Sequence, residues 1–314
     1  MRSLSLVLLL IIIFAFTNVA YGVCVEPNRG GAISSLRQNQ ASHIDPLIPF
    51  QHSFSLEQFQ SSRVETFTIT MPQLRDRQRS IQVYLPPEYD SSMVAYPVFY
   101  LLDGAFLFNP PPGGTGDYLI DETLDVLFFE GLLDGVIVVG IEHDREHPWD
   151  EYTPWINENM HDWINPDKND PVQGGEGFAF IDFLVNILKP EIDLRYRTLA
   201  SRDSTFIGGF CRGGLIPVVA GLSYPEIFSR VMSMSPSVWL AEGGGSWLSN
   251  NQLINLINNI AVPTDVKFYL DIGTEESSGD QPDVYDSNGS RITYSQAYLE
   301  GAQMLFDTLM NNGM

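Results

Sequence analysis

Apolar residues alternate with polar ones, or run unbroken, over residues 64–70, 80–85, 97–102, 136–142, 205–208, 231–235 and 266–272, the periods of half-buried and fully buried strands. The first two runs are close neighbours and predict an antiparallel hairpin. Later the period becomes helical. Phe180, Phe183, Leu184, Ile187 and Leu188 recur at helical spacing before Pro190, and Leu215, Val218, Val219 and Leu222 follow a cluster of glycines. Tyr298, Ala302, Leu305 and Leu309 mark a last helix, with Asn311, Asn312 and Gly313 as its stop. Two strands followed by repeated strand and helix units predict an α/β fold, a mostly parallel central sheet with helices on both faces. The Pro- and Gly-rich stretches 109–116 and 242–245 read as surface loops, so residues 63–314 form one domain.

The chain ahead of that domain has a different pattern. Arg2 precedes an apolar run over residues 4–16, and Ala20, Tyr21 and Gly22 offer a small-residue cleavage site, the pattern of a signal peptide over residues 1–22. The run is shorter than the roughly 20 apolar residues of a spanning helix. We expect a secreted or periplasmic protein, with no membrane contact after cleavage. Residues 23–62 are polar, Gln/Ser-rich and without sustained period, a loosely ordered leader. Hydrophobic residues make up 44% of the 314, enough for a buried core, and charged residues only 18%. The net charge of −22 would repel nucleic acid and anionic membranes, so neither is expected as a partner. Two cysteines, Cys24 and Cys211, make no disulfide framework. Asn288, Gly289 and Ser290 form a sequon that matters only if the source glycosylates exported proteins.

Chemistry concentrates at residues 205–214, where a strand pattern ends in Gly209-Phe210-Cys211-Arg212-Gly213 and leads directly into a helical one. Gly-x-Cys-x-Gly in this context is the pattern of a nucleophile elbow, a sharp turn that raises the central side chain above the sheet. Glycines are needed on either side because strand and helix approach closely. The backbone N–H of Arg212 would face a developing oxyanion at the helix N-terminus. A second donor should come from the loop after an early central strand, where Asp103 and Gly104 end the run and Ala105 offers its N–H. Read alone, Asp-Gly after an apolar run is simply a turn signal. Trp149, Tyr152, Trp155 and Trp163 share a later loop and either wall a substrate pocket or pack a lid against the core. Trp239 is a further candidate for the pocket wall.

Taken together, the segments 98–104, 138–142, 152–155, 183–190, the elbow, 224–228, 233–239 and 270–276 resemble the putative-esterase family of α/β-hydrolases, which includes enterochelin, feruloyl and esterase-D-like enzymes. The resemblance runs from about residue 64 to the C-terminus. It implies an α/β-hydrolase fold, a small-molecule, lipid or aryl ester substrate, no cofactor and no metal. Carried over by position, it puts the nucleophile at Cys211 and the acid of a triad just after Gly273 and Thr274, at Glu276 or its neighbour Glu275. Two departures stand out. Cysteine occupies the place where most of the family has serine; a thiol is competent there, and dienelactone hydrolases have a similar cysteine elbow. The five histidines, His43, His52, His143, His147 and His161, all precede Cys211, although the order in such hydrolases is nucleophile, acid, histidine. A further strand and a histidine are therefore expected beyond residue 314, since the apolar run 266–272 would otherwise be left as a sheet edge. His143, His147 or His161 could stand in from the loop above the sheet. Two readings follow. One is an exported hydrolase of carboxylic esters or thioesters, weak or inactive as the 314 residues stand; the other is a non-catalytic pseudo-hydrolase that keeps the pocket for binding.

Overall fold

A computed structural model describes residues 61–108, 117–147, 149–157, 174–242, 250–273, 284–285 and 291–314. Outside these lie the signal-peptide and leader patterns up to residue 60, His43, His52, His161, Trp163, Glu275, Glu276 and the sequon at 288–290.

Seven strands form one sheet: β1 (Arg63–Met71), β2 (Arg77–Leu85), β3 (Val98–Leu102), β4 (Ile137–Ile141), β5 (Thr205–Phe210), β6 (Arg230–Met234) and β7 (Lys267–Asp271), in the order β1-β2-β4-β3-β5-β6-β7. β1 pairs antiparallel with β2, and β2 antiparallel with β4; every other pairing is parallel. This is the expected α/β-hydrolase sheet with its N-terminal hairpin. Every residue of β3 and β4 is buried, which is why these strands read as unbroken apolar runs. Their side chains alternate between two cores. Tyr100 and Leu102 pack with Phe180 and Leu215 on one face; Phe99 and Leu101 pack with Ile120, Leu124 and Leu127 on the other.

The helices are α1 (Ile120–Phe129), α2 (Gly177–Phe183), α3 (Lys189–Arg195), α4 (Arg212–Ser223), α5 (Gln252–Asn259) and α6 (Tyr294–Asn311). The helical pattern read ahead of Pro190 continues through it. Leu184–Leu188 adopts a π-helical turn that leads directly into α3, where Pro190 sits in the first turn. A proline lacks the N–H and crowds the carbonyl four residues earlier, and the wider π turn makes room for it. A short hairpin of β8 (Val284–Tyr285) and β9 (Arg291–Ile292) precedes α6. None of the described helices is long and apolar enough to cross a membrane.

Candidate active site

β5 ends at Phe210 and α4 begins at Arg212, leaving Cys211 to turn the chain alone with φ 54° and ψ −118°. A non-glycine residue holds such a conformation at a cost of about 1–3 kcal/mol, and only where its surroundings over-determine it. Three main-chain bonds do so. Cys211 N–H donates to the Met234 carbonyl at 2.9 Å, and the Cys211 carbonyl accepts from Gly214 N–H at 3.0 Å and Ser237 N–H at 3.1 Å. The turn is so tight that a Cβ on Gly209 would stand 2.1 Å from the Gly213 carbonyl oxygen. Pro217, inside α4, has no N–H to bond that carbonyl. The Cys211 thiol is free and exposed.

Arg212 is the first residue of α4, and Ala105 lies in the 3-10 turn Gly104–Phe106 at the end of β3. Helices leave the N–H groups of their first turn without internal partners. Since β3 pairs directly with β5, the structure brings these two donors to the same end of neighbouring strands as Cys211. Gly104 fits only without a side chain, because a Cβ there would lie 2.6 Å from the Gly140 carbonyl carbon in β4.

Asp103 takes a left-handed conformation, φ 62°, that turns its carboxylate toward the elbow. Oδ2 lies 2.7 Å from where a Cβ on Gly213 would be, and Oδ1 faces His143 Nδ1 at 3.3 Å, without an aligned hydrogen bond. The His143 ring stacks on Phe106, which packs against Tyr118, and Tyr118 against Phe210. Burial, then the charges of Asp103 and Cys211, push the Tyr118 hydroxyl up from its ordinary range. Of the two described histidines, His143 is the one beside Asp103. His147 pairs instead with Asp144, at 3.2 Å, and is largely exposed.

Two hydroxyls stand against the thiol. Tyr298 Oη stands 3.0 Å from Cys211 Sγ, Ser237 Oγ stands 3.7 Å from it, and the two hydroxyls are 2.7 Å apart. Ser237 comes from the turn after β6 and is fully buried; Tyr298 comes from α6 and is 7% exposed. A capping box starts α6: Gln296 N–H donates to Thr293 Oγ1 at 3.2 Å, and Thr293 N–H to Gln296 Oε1 at 2.9 Å. Periodicity assigned Tyr298 only to a helix face and gave Ser237 no role. The Thr-x-x-Gln signal at 293–296 could have fixed where that helix begins, though not what it faces.

Trp239 is 1% exposed and packs edge-on against Tyr298, so its ring is a support behind the thiol's partner. Trp155 is half-buried, with its ring edge-on to Phe178 at 5.5 Å. Trp149 reaches the elbow differently, carrying the Arg212 guanidinium 4.3 Å above its ring. Tyr152 is fully buried and its Oη accepts from Asp103 N–H at 3.3 Å.

Charges under this loop tie it to the sheet. Arg79 on β2, 3% exposed, pairs with the fully buried Glu151 and donates to the Glu142 carbonyl at 2.9 Å. Arg77 reaches Asp144 and Glu151, each at 3.3 Å, and also Glu176. Arg77, Arg79, Glu142, His143 and Asp144 border a cleft of about 410 Å³. Burial would raise the Asp144 carboxyl, but Glu146 N–H, His147 and Arg77 outweigh it and hold it at about 2. Among the described residues no cluster of His, Cys, Asp and Glu could hold a metal ion.

A mostly parallel sheet led by an antiparallel hairpin, with a strained residue raised between a central strand and the helix behind it, defines an α/β-hydrolase. The chain belongs to the family described as Putative esterase, whose profile matches residues 73–297. It is 28% identical to the protein YbbA of Bacillus subtilis (strain 168) over 198 residues, 63% of this chain and 69% of that one. To the ferri-bacillibactin esterase BesA of the same organism it is 26% identical over 180 residues, 54% of this chain and 58% of that one. Among solved structures it resembles the enterobactin esterase of Shigella flexneri in the presence of enterobactin, with a TM-score of 0.58 and 18% identity, over 81% of this chain and 53% of that one. At that identity the likeness carries the fold.

Proposed function

We propose that this protein is an exported hydrolase of small carboxylic esters or thioesters, with Cys211 as its nucleophile. The single observation that carries the reading is the strained, exposed thiol at the end of β5, in a family of esterases. The sulfur attacks the ester carbonyl carbon. The N–H groups of Ala105 and Arg212 hold the resulting oxyanion, where such donors are worth most. Collapse expels the alcohol and leaves a thioester on Cys211, which water then hydrolyses. Asp103, Gly104 and Trp155 border the acyl site, and Trp239 backs it. Glu276, or Glu275 beside it, is the acid that would orient a histidine. The 314 residues contain no histidine beyond His161, and absence of the base in triads of this kind lowers the rate on the order of 10⁴-fold or more. Weak turnover of this chain follows. Export is supported by the signal-peptide pattern of residues 1–22.

The test uses p-nitrophenyl esters with the purified 314-residue chain. Slow p-nitrophenol release that Cys211→Ala abolishes, with an acyl adduct on residue 211 seen by intact mass, is the expected result. Release that Cys211→Ala leaves unchanged, with no adduct, overturns it. Binding of ester analogues without any adduct would instead favour the pseudo-hydrolase reading.

A further inference from the structure

The thiol's immediate partner is a phenol. At 3.0 Å, Tyr298 Oη occupies the hydrogen-bonding distance from Sγ at which nucleophiles and the groups that activate them are found. It is not there by chance of a mobile side chain. Trp239 packs edge-on against its ring, Ile272 and Ala302 bury it, and Ser237, fully buried, holds its hydroxyl at 2.7 Å. Ser237 is itself locked to the elbow, because its N–H donates to the Cys211 carbonyl at 3.1 Å. The strained turn and its two hydroxyls are therefore one rigid unit drawn from β5, the turn after β6, and α6.

We propose that Tyr298, backed by Ser237, sets the reactivity of the Cys211 thiol. Its hydroxyl donates to the sulfur and stabilises the negative charge that develops there as the S–H proton leaves to solvent or buffer. Hydrogen bonds to charged acceptors are stronger than those to neutral ones, so the bond favours the reacting state over the resting thiol. Tyr298 is in this account a positioning residue: it acts on the substrate only through the sulfur. The inference rests on Cys211 being the reactive group of the proposed function, but not on which substrate it attacks.

Alkylation by iodoacetamide tests it without any ester. In that reaction the sulfur forms a bond to the methylene carbon, iodide leaves, and the thiol proton passes to the buffer. The rate is followed at neutral pH on the peptide that carries residue 211, so that Cys24 does not interfere, in the wild-type chain, Tyr298→Phe and Ser237→Ala. Tyr298→Phe keeps the ring and removes only the donor. We expect about tenfold slower alkylation in Tyr298→Phe, corresponding to roughly 1.4 kcal/mol, about threefold slower in Ser237→Ala, and little change in melting temperature in either. The sign separates this role from a structural one, because loosened packing of α6 would uncover the side of the sulfur that Tyr298 covers and speed the reaction. Rates in Tyr298→Phe equal to or faster than wild type overturn the inference. Alkylation that depends on Tyr298 in a chain that turns over no ester leaves the inference standing and removes the esterase reading. Ester turnover that needs Cys211 while alkylation ignores residue 298 does the reverse.

Discussion

Gly209 shows how little freedom the elbow leaves. A side chain there would place its first carbon 2.1 Å from the Gly213 carbonyl oxygen, a backbone atom that cannot rotate away. Gly213 is constrained too, since its own Cβ would meet Asp103 Oδ2 at 2.7 Å, the carboxylate that faces His143. Gly209→Ala must push β5 and α4 apart or relax the strained φ of Cys211. Overpacking of this kind costs typically 1–3 kcal/mol in side-chain cores, and against the Gly213 backbone we expect about 3 kcal/mol or more. Urea unfolding would show the loss, and alkylation of residue 211 would change with it; a variant within about 0.5 kcal/mol of wild type would mean that the close approach is not real. This much was legible in the sequence, because Gly-x-Cys-x-Gly between a strand pattern and a helix pattern has few other uses. The identity of the groups facing the sulfur was not. Ser237 and Tyr298 lie 26 and 87 residues away in the chain, and no local period records which residues meet across a sheet.

Among elements, the segment from Glu142 to Asn157 depends most on contacts that sequence patterns do not show. It carries His143, Trp149, Tyr152 and Trp155, yet its described residues contain no helix or strand of their own beyond a single bridge at Ile156. Its anchor is the pair Arg79 and Glu151, buried at 3% and 0% exposure, with Arg77 adding Asp144 and Glu151. Arg79 sits on β2, a strand legible as alternating positions, but its partner is 72 residues on. Removing one member of such a pair strands the other charge in the core, which costs about 3–5 kcal/mol, whereas replacing both by apolar groups is often neutral. Arg79→Ala should therefore lower stability by about 3–5 kcal/mol and slow ester turnover. Arg79→Met with Glu151→Leu should recover most of the stability. A double variant as unstable as the single one would show that the pair is more than a paired burial of charge. α2 and α3 teach the same lesson: the helical spacing of residues 180–188 marked α2 and the π turn, but the continuation through Pro190 into α3 was not read, because a π turn that absorbs a proline leaves no mark in the pattern.

For the whole molecule, a mostly parallel sheet of seven strands followed from alternation between strand and helix periods, since parallel neighbours need crossover helices, but the placing of β4 between β2 and β3 did not. α1 and α5 were not singled out, being short and flanked by loops without strong stop signals. Charge is the other property that belongs to the entire chain. A net charge of −22 strains the compact state by self-repulsion, and one carboxyl adds to it in a definable way. Asp121, in the first turn of α1, is pushed up to about 7 by burial and by its neighbour Glu122. A carboxyl raised in the folded state holds its proton there while the unfolded chain has released it, so between about pH 4 and pH 7 stability falls as pH rises. Asp144 works the other way: held at about 2, it stabilises the fold above the unfolded value near 4 and loses that contribution only as pH falls toward 2. The two windows, with the relief of repulsion as other carboxylates protonate, place the maximum of stability in mildly acid solution, near pH 5. Urea unfolding from pH 4 to pH 8 should show midpoints rising as pH is lowered from 8 to 5. Asp121→Asn should flatten that slope, and added salt of about 0.5 M should raise the midpoints at pH 8 by screening the surface charges. Midpoints that are level or fall over that range would show that Asp121 is solvated in the folded protein and that its acidity comes from the surface.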